Sequence, residues 1–269
     1  MKLVRMVGAG VLASMLAACA TTGGGRGGNG DDSVAVQAIS QQTPKNDIEK
    51  RAKDHTELGN LYAQDGRYSV ALDEVRLALS ADDSYAPAYN LKAIVHMALG
   101  ENGLADESFR RALSLAPRDP EINNNYGWFL CQSGKEADSI ERFRIAYRNP
   151  LYLTPTRAYT NAGICYLRMK NYTAAEQHLT TAIRYDSGNT LALYWLAETY
   201  YQSNRLVEAR QRVNDLSRVI DPTVEVVWLG LRIEHKLGDR DAELRYSTTM
   251  RRKFADTPQY QKMVQGQFE

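Results

Sequence analysis

The stretch NYGWFLCQSGKEADSIERFRIA, residues 125–146, holds two helical segments and a turn. Gly127 is a small residue set among Tyr126, Trp128, Phe129 and Leu130, and Ser133-Gly134 interrupts the apolar run. Twelve residues after Gly127 comes Ser139, sixteen after it Phe143 and nineteen after it Ala146. Two antiparallel helices need small residues where their backbones approach and large ones where a gap remains. Gly127 and Ser139 meet the first need, and Phe143 meets the second.

The pattern extends outward in both directions. Aligned on the small residue, Gly59, Ala93, Gly127, Gly163, Ala197 and Gly230 are spaced by 34, 34, 36, 34 and 33 residues. The position twelve further on is Ala71, Ala105, Ser139, Ala175, Ala209 or Ala242. Four beyond that is Val75, Phe109, Phe143, Leu179, Val213 or Tyr246. Asp65-Gly66, Leu99-Gly100, Ser133-Gly134, Asn204-Arg205 and Leu237-Gly238 separate the halves, and Pro117 and Pro222 close units. No such unit buries its apolar face alone, so the units must stack. The period resembles the tetratricopeptide repeat and implies an all-α superhelical solenoid. Six repeats are expected over about 52–85, 86–119, 120–155, 156–189, 190–222 and 223–256, within a domain at 48–269. The third is longer, because Pro150 and Pro155 in NPLYLTP (149–155) block helix continuation. Tyr260, Met263, Val264 and Phe268 share one helical face, which predicts a capping helix within 257–269.

The N-terminus reads as an address. Lys2 and Arg5 precede an apolar stretch from Val7 to Ala18, too short for the roughly 20 residues that cross a membrane, so residues 1–18 read as a secretory signal. Leu16-Ala17-Ala18-Cys19 resembles a bacterial lipobox, which implies cleavage before Cys19 and acylation of its thiol. Ala20 in place of Asp favours, by the same resemblance, the outer membrane. Six glycines lie in residues 23–30, and 19–47 reads as a lipidated flexible tether. No Gly-Lys-Ser/Thr follows those glycines, so they are not a phosphate loop.

Composition limits the chemistry. Hydrophobic residues are 43% and charged residues 24%, enough for a buried core. Lys+Arg is 33 against Asp+Glu 32, and removing Lys2 and Arg5 leaves 31 against 32, which argues against nucleic-acid binding. The four histidines (55, 96, 178, 235) fall at unrelated repeat positions and no HExxH or CxxC occurs, so neither a metal nor another cofactor is expected. Catalysis and a small-molecule substrate are not expected either. Cys131 and Cys165 fall on neighbouring first helices, two residues out of phase. With helix axes about 8–10 Å apart and a disulfide needing Cα atoms within about 7 Å, buried free thiols are the expectation.

In this repeat class the first helix of each unit lines a concave groove. The corresponding positions are Asn90, Ile94 and Met97 in repeat 2; Asn124, Trp128, Cys131 and Gln132 in repeat 3; Arg157, Thr160, Ile164, Leu167 and Arg168 in repeat 4; and Tyr194, Glu198, Tyr201 and Gln202 in repeat 5. Apolar and aromatic groups dominate, which suits capture of a partner peptide or helix. Asn90 and Asn124 are expected to bond the backbone of an extended segment. A carboxylate clamp is not expected, because repeat 1 carries Thr56 where such a clamp needs Lys, although Asn60 is present.

The run Asn123-Asn124-Asn125-Tyr126-Gly127-Trp128-Phe129-Leu130, followed by Gly134 and Arg142-Phe143, resembles the type IV pilus biogenesis and stability lipoproteins, the PilF/PilW pilotin family. Asn161-Ala162-Gly163 with Tyr166-Leu167-Arg168-Met169-Lys170, and Leu229-Gly230-Leu231-Arg232-Ile233 with Gly238-Asp239-Arg240-Asp241-Ala242, extend the likeness. The resemblance implies an outer-membrane lipoprotein that binds a secretin subunit and promotes its targeting and multimerisation. The alternative with the same fold and anchor is an adaptor that scaffolds peptidoglycan hydrolases or other envelope complexes.

Overall fold

The computed structural model describes residues 35–268; the signal and lipobox readings at 1–18 and Cys19 lie outside the described residues. The described chain forms six helical hairpins and a terminal helix. The pairs are α1 (Asp47–Gln64) with α2 (Tyr68–Ala81), α3 (Ala86–Ala98) with α4 (Asn102–Leu115), and α5 (Pro120–Gln132) with α6 (Glu136–Arg148). They continue as α7 (Pro155–Arg168) with α8 (Tyr172–Tyr185), α9 (Thr190–Gln202) with α10 (Leu206–Val219), α11 (Val224–Leu237) with α12 (Arg240–Lys253), and finally α13 (Pro258–Val264). No strand occurs among the described residues.

Each hairpin turn closes in the same way. The N–H of Lys135 donates to the Leu130 carbonyl at 2.9 Å, and Arg67→Tyr62, Glu101→His96, Asn171→Tyr166, Arg205→Tyr200 and Asp239→Glu234 repeat that bond. This six-to-one closure needs a left-handed residue one position before the donor. Gly134 supplies it in repeat 3 with φ +77°. In repeats 4 and 5 the position falls to Lys170 (φ +57°) and Asn204 (φ +59°), which carry a Cβ into a region that costs a non-glycine residue about 1–2 kcal/mol.

Small and large residues meet as their spacing requires. A Cβ added at Gly127 would lie 2.9 Å from the Phe143 ring, and one at Gly163 would lie 2.5 Å from Leu179 Cγ. The small residue of a first helix thus seats directly against the large residue sixteen positions on. Ala71, Ala105, Ser139, Ala175 and Ala209 are fully buried, as are Phe109, Phe143 and Leu179. The core is accordingly a row of clusters inside and between hairpins.

Three expectations need correction. The tether does not run to residue 47: Ala38 is fully buried, a 3-10 turn forms at Ile39–Gln41, and residues 36–42 are tied to the solenoid. At the far end Tyr260, Met263 and Phe268 pack on Trp228, Leu231 and Met250, but Val264 is exposed and Phe268 lies beyond α13. Cys131 and Cys165 form a disulfide, with Cα atoms 5.9 Å apart. Two features make this possible. Each Cα sits about 2.3 Å off its helix axis, so facing Cα atoms approach far closer than the axes do. Identical repeat positions point the same way, so a bridge between neighbours requires two different positions, one facing forward and one back.

Candidate functional site

The first helices α1, α3, α5, α7, α9 and α11 lie side by side, and each touches the next first helix as well as its own partner. Adjacent first helices come so close that much of the expected groove lining is consumed in packing. Asn90, Asn124, Ile164, Leu167 and Tyr201 are buried, with Asn124 at 0% exposure. These five cannot form a ready contact surface. Ile94, Met97, Trp128 and Tyr194 are half-buried and keep an accessible part.

The asparagines bond to each other. Asn125 Nδ2 donates to Asn90 Oδ1 at 3.3 Å, Asn124 Nδ2 to Asn125 Oδ1 at 3.2 Å, and Asn161 Nδ2 to Asn124 Oδ1 at 3.1 Å. This ladder crosses α3, α5 and α7 and satisfies amides that would otherwise be buried without partners. Its role is to lock three repeats in register, in place of the expected bonds to a client backbone.

The chain's own segments cover both ends of this face. At the N-terminal end the Ile39 N–H donates to Asp119 Oδ2 at 2.8 Å, Ser40 Oγ to Glu121 Oε2 at 2.5 Å, and Lys53 Nζ to the Gln42 carbonyl at 3.0 Å. Asp119 also caps α5 by accepting from the Glu121 and Ile122 N–H groups at 3.0 Å each. Burial pushes its carboxyl above the usual carboxylate range, while the backbone donors oppose that shift. At the C-terminal end Arg232 Nε donates to the Phe268 carbonyl at 3.1 Å, and the Phe268 ring stacks on His235 at 4.1 Å. Tyr201 is buried there, with the Arg232 guanidinium and Lys236 Nζ each 4.2 Å from its ring centre.

Between the two covered ends lies a half-buried strip. Trp128 packs beside the Cys131–Cys165 disulfide. Tyr194 stands edge-on to Trp195 at 5.3 Å, and burial, aided by Glu198, pushes its hydroxyl up to about 12. Gln132, Arg168 and Gln202 are exposed along the margin, and Arg157 is exposed in the first turn of α7 beside the 149–154 junction. Such a strip, aromatic with polar edges, can hold an apolar side chain of another polypeptide. Among the described residues no group of three or more His, Cys, Asp or Glu could hold a metal ion, and no helix is long and apolar enough to cross a membrane.

Tetratricopeptide-repeat family models match residues 86–119 and 166–224. The type IV pilus assembly protein PilF of Pseudomonas aeruginosa is 28% identical over 207 residues, covering 77% of this chain and 82% of the relative. The crystal structure of PilW, described as a widely conserved type IV pilus biogenesis factor, superposes with a TM-score of 0.76 at 31% identity over 79% of this chain and 98% of PilW. The structure of Pseudomonas aeruginosa PilF gives 0.73 at 26% identity, covering 82% of this chain and all of that one. A tetratricopeptide-repeat protein of Parabacteroides merdae, 16% identical with a TM-score of 0.60, shares the fold alone. This chain belongs to the family of tetratricopeptide-repeat type IV pilus biogenesis proteins that includes PilW.

Proposed function

We propose that this protein is a lipid-anchored pilotin of the outer membrane, facing the periplasm, which binds the type IV pilus secretin and promotes its targeting and multimerisation. The observation that carries this reading is the likeness to PilW over nearly the whole of that pilus biogenesis factor. A solenoid of this kind acts by holding another polypeptide, not by covalent chemistry. An adaptor for peptidoglycan hydrolases loses its support, because the similar PilF and PilW are pilus factors.

In this account acylated Cys19 holds the solenoid at the membrane, and the central strip takes a segment of the unassembled secretin. Anchoring converts capture into local concentration at the bilayer, which adds avidity without new contacts. Ile94, Met97, Trp128 and Tyr194 are the contact candidates; Trp128, rigid and central, is the strongest. A photocrosslinking amino acid in place of Trp128, activated in live cells, is expected to capture the secretin subunit. Capture of a hydrolase instead would overturn the assignment. Trp128→Ala is expected to weaken capture by about 2 kcal/mol.

A further inference from the structure

Repeats 3 and 4 are joined by residues 149–154, and this junction carries two exposed leucines. Leu151 is 46% and Leu153 71% exposed. Tyr152 between them is buried against Ala146 and Ala158, which fixes the loop and turns its neighbours outward. The loop is further held by its own turn, in which the Leu151 N–H donates to Asn149 Oδ1 at 3.0 Å.

Two observations bear on what could cover these leucines. Asn149 Nδ2 donates to the Val36 carbonyl at 2.6 Å, across 113 residues of sequence. The described chain begins at Ala35, so the covalent path toward Cys19 starts beside this loop. Only fifteen residues separate Cys19 from Ala35, a contour of at most roughly 55 Å. The charge is also suitable. From Arg142 to Lys170 the sequence carries six basic residues, and no Asp or Glu occurs until Glu176, in a chain whose total charge is +1. Arg148 and Arg157 flank the loop, are exposed, and form no ion pair with another described residue.

We propose that the 148–157 junction is a membrane-contact surface: Leu151 and Leu153 enter the headgroup–acyl boundary of an anionic bilayer while Arg148 and Arg157 meet its phosphates. Acyl chains combined with basic and apolar contacts give firmer seating than acyl chains alone. The contact would also fix the orientation of the solenoid. This inference rests on the reading of Cys19 as the acylated anchor.

The test uses the full lipidated chain in vesicles of phosphatidylethanolamine and phosphatidylglycerol, with benzoylphenylalanine in place of Leu153 and, as control, in place of Val207, which is 67% exposed on α10. Position 153 is expected to form lipid adducts at least ~5-fold above position 207, falling when Arg148→Glu and Arg157→Glu are added. Equal yields from the two positions, with the chain in the membrane fraction, would overturn the surface and leave the anchor standing. A chain recovered in the soluble fraction would overturn the anchor and this inference together. In live cells, a protein adduct in place of lipid from position 153 would assign the loop to a partner and refute the membrane contact.

Discussion

Reduction of the Cys131–Cys165 disulfide should destabilise the solenoid at its centre. The cysteines are 34 residues apart, so the bond closes a loop about one repeat long and pins α5 to α7. The chain-entropy relation gives roughly 12–13 cal/mol/K for a loop of that size, close to 4 kcal/mol at 25 °C. A domain of this size shifts its melting temperature by about 2–4 °C per kcal/mol, so reduction should lower it by about 8–15 °C. Both thiols would remain as small buried groups beside Phe143 and Ala162, so reduction isolates the cross-link from any packing loss. The assay is paired thermal melts by circular dichroism, with and without a phosphine reductant, and Cys131→Ala/Cys165→Ala as a third sample. The double variant should fall at or slightly below the reduced protein, since it also deletes two sulfurs from a filled cluster. Melts that agree within about 1 °C would refute the chain-entropy reasoning. Alkylation of both cysteines in the unreduced, denatured protein would remove the bond itself.

Three further outcomes are expected. Gly163→Ala places a Cβ 2.5 Å from Leu179 Cγ, and denaturant titration should show a loss of about 1–3 kcal/mol. Lys170→Gly relieves the left-handed turn of repeat 4 and should raise stability by about 1 kcal/mol, read from the same titration. His178 lies among Tyr147, Tyr159 and Tyr166, and burial holds its pKa below the ordinary value of 6.5. The unfolded chain therefore takes up this proton first as pH falls, so the associated stability is present above pH about 6.5 and lost as pH falls through the folded value. His178→Gln should flatten that part of the stability profile between pH 7 and pH 5.

The repeat was legible because its determinants are local. Gly127 and Phe143, or Gly163 and Leu179, announce their contact by a spacing of sixteen residues, and the structure brings each pair into contact. The turn of repeat 4 carried no glycine and went unmarked, yet Lys170 adopts the same left-handed conformation because the six-to-one closure demands it. What sequence reading missed is non-local. Nothing in residues 35–46 announces a partner for Ile39 at Asp119, 80 residues away, or for Val36 at Asn149. Groove exposure was overread for a related reason. Whether Asn124 or Ile164 faces solvent depends on how tightly successive first helices curve toward each other, and repeat position alone does not encode that curvature. The disulfide was lost by setting the spacing of helix axes against the Cα limit of a bridge and by counting the offset of two residues against it, when that offset is what lets one residue face forward and the other back.

The central claim is that this protein promotes assembly of the secretin ring. The most direct measurement is the ratio of multimeric to monomeric secretin in outer-membrane fractions of cells with and without the gene. The account predicts that multimers and surface pili disappear in its absence and return with the wild-type chain, while a Cys19→Ala form is recovered as a soluble periplasmic protein and fails to restore them. Multimers unchanged in the deletion strain would contradict it.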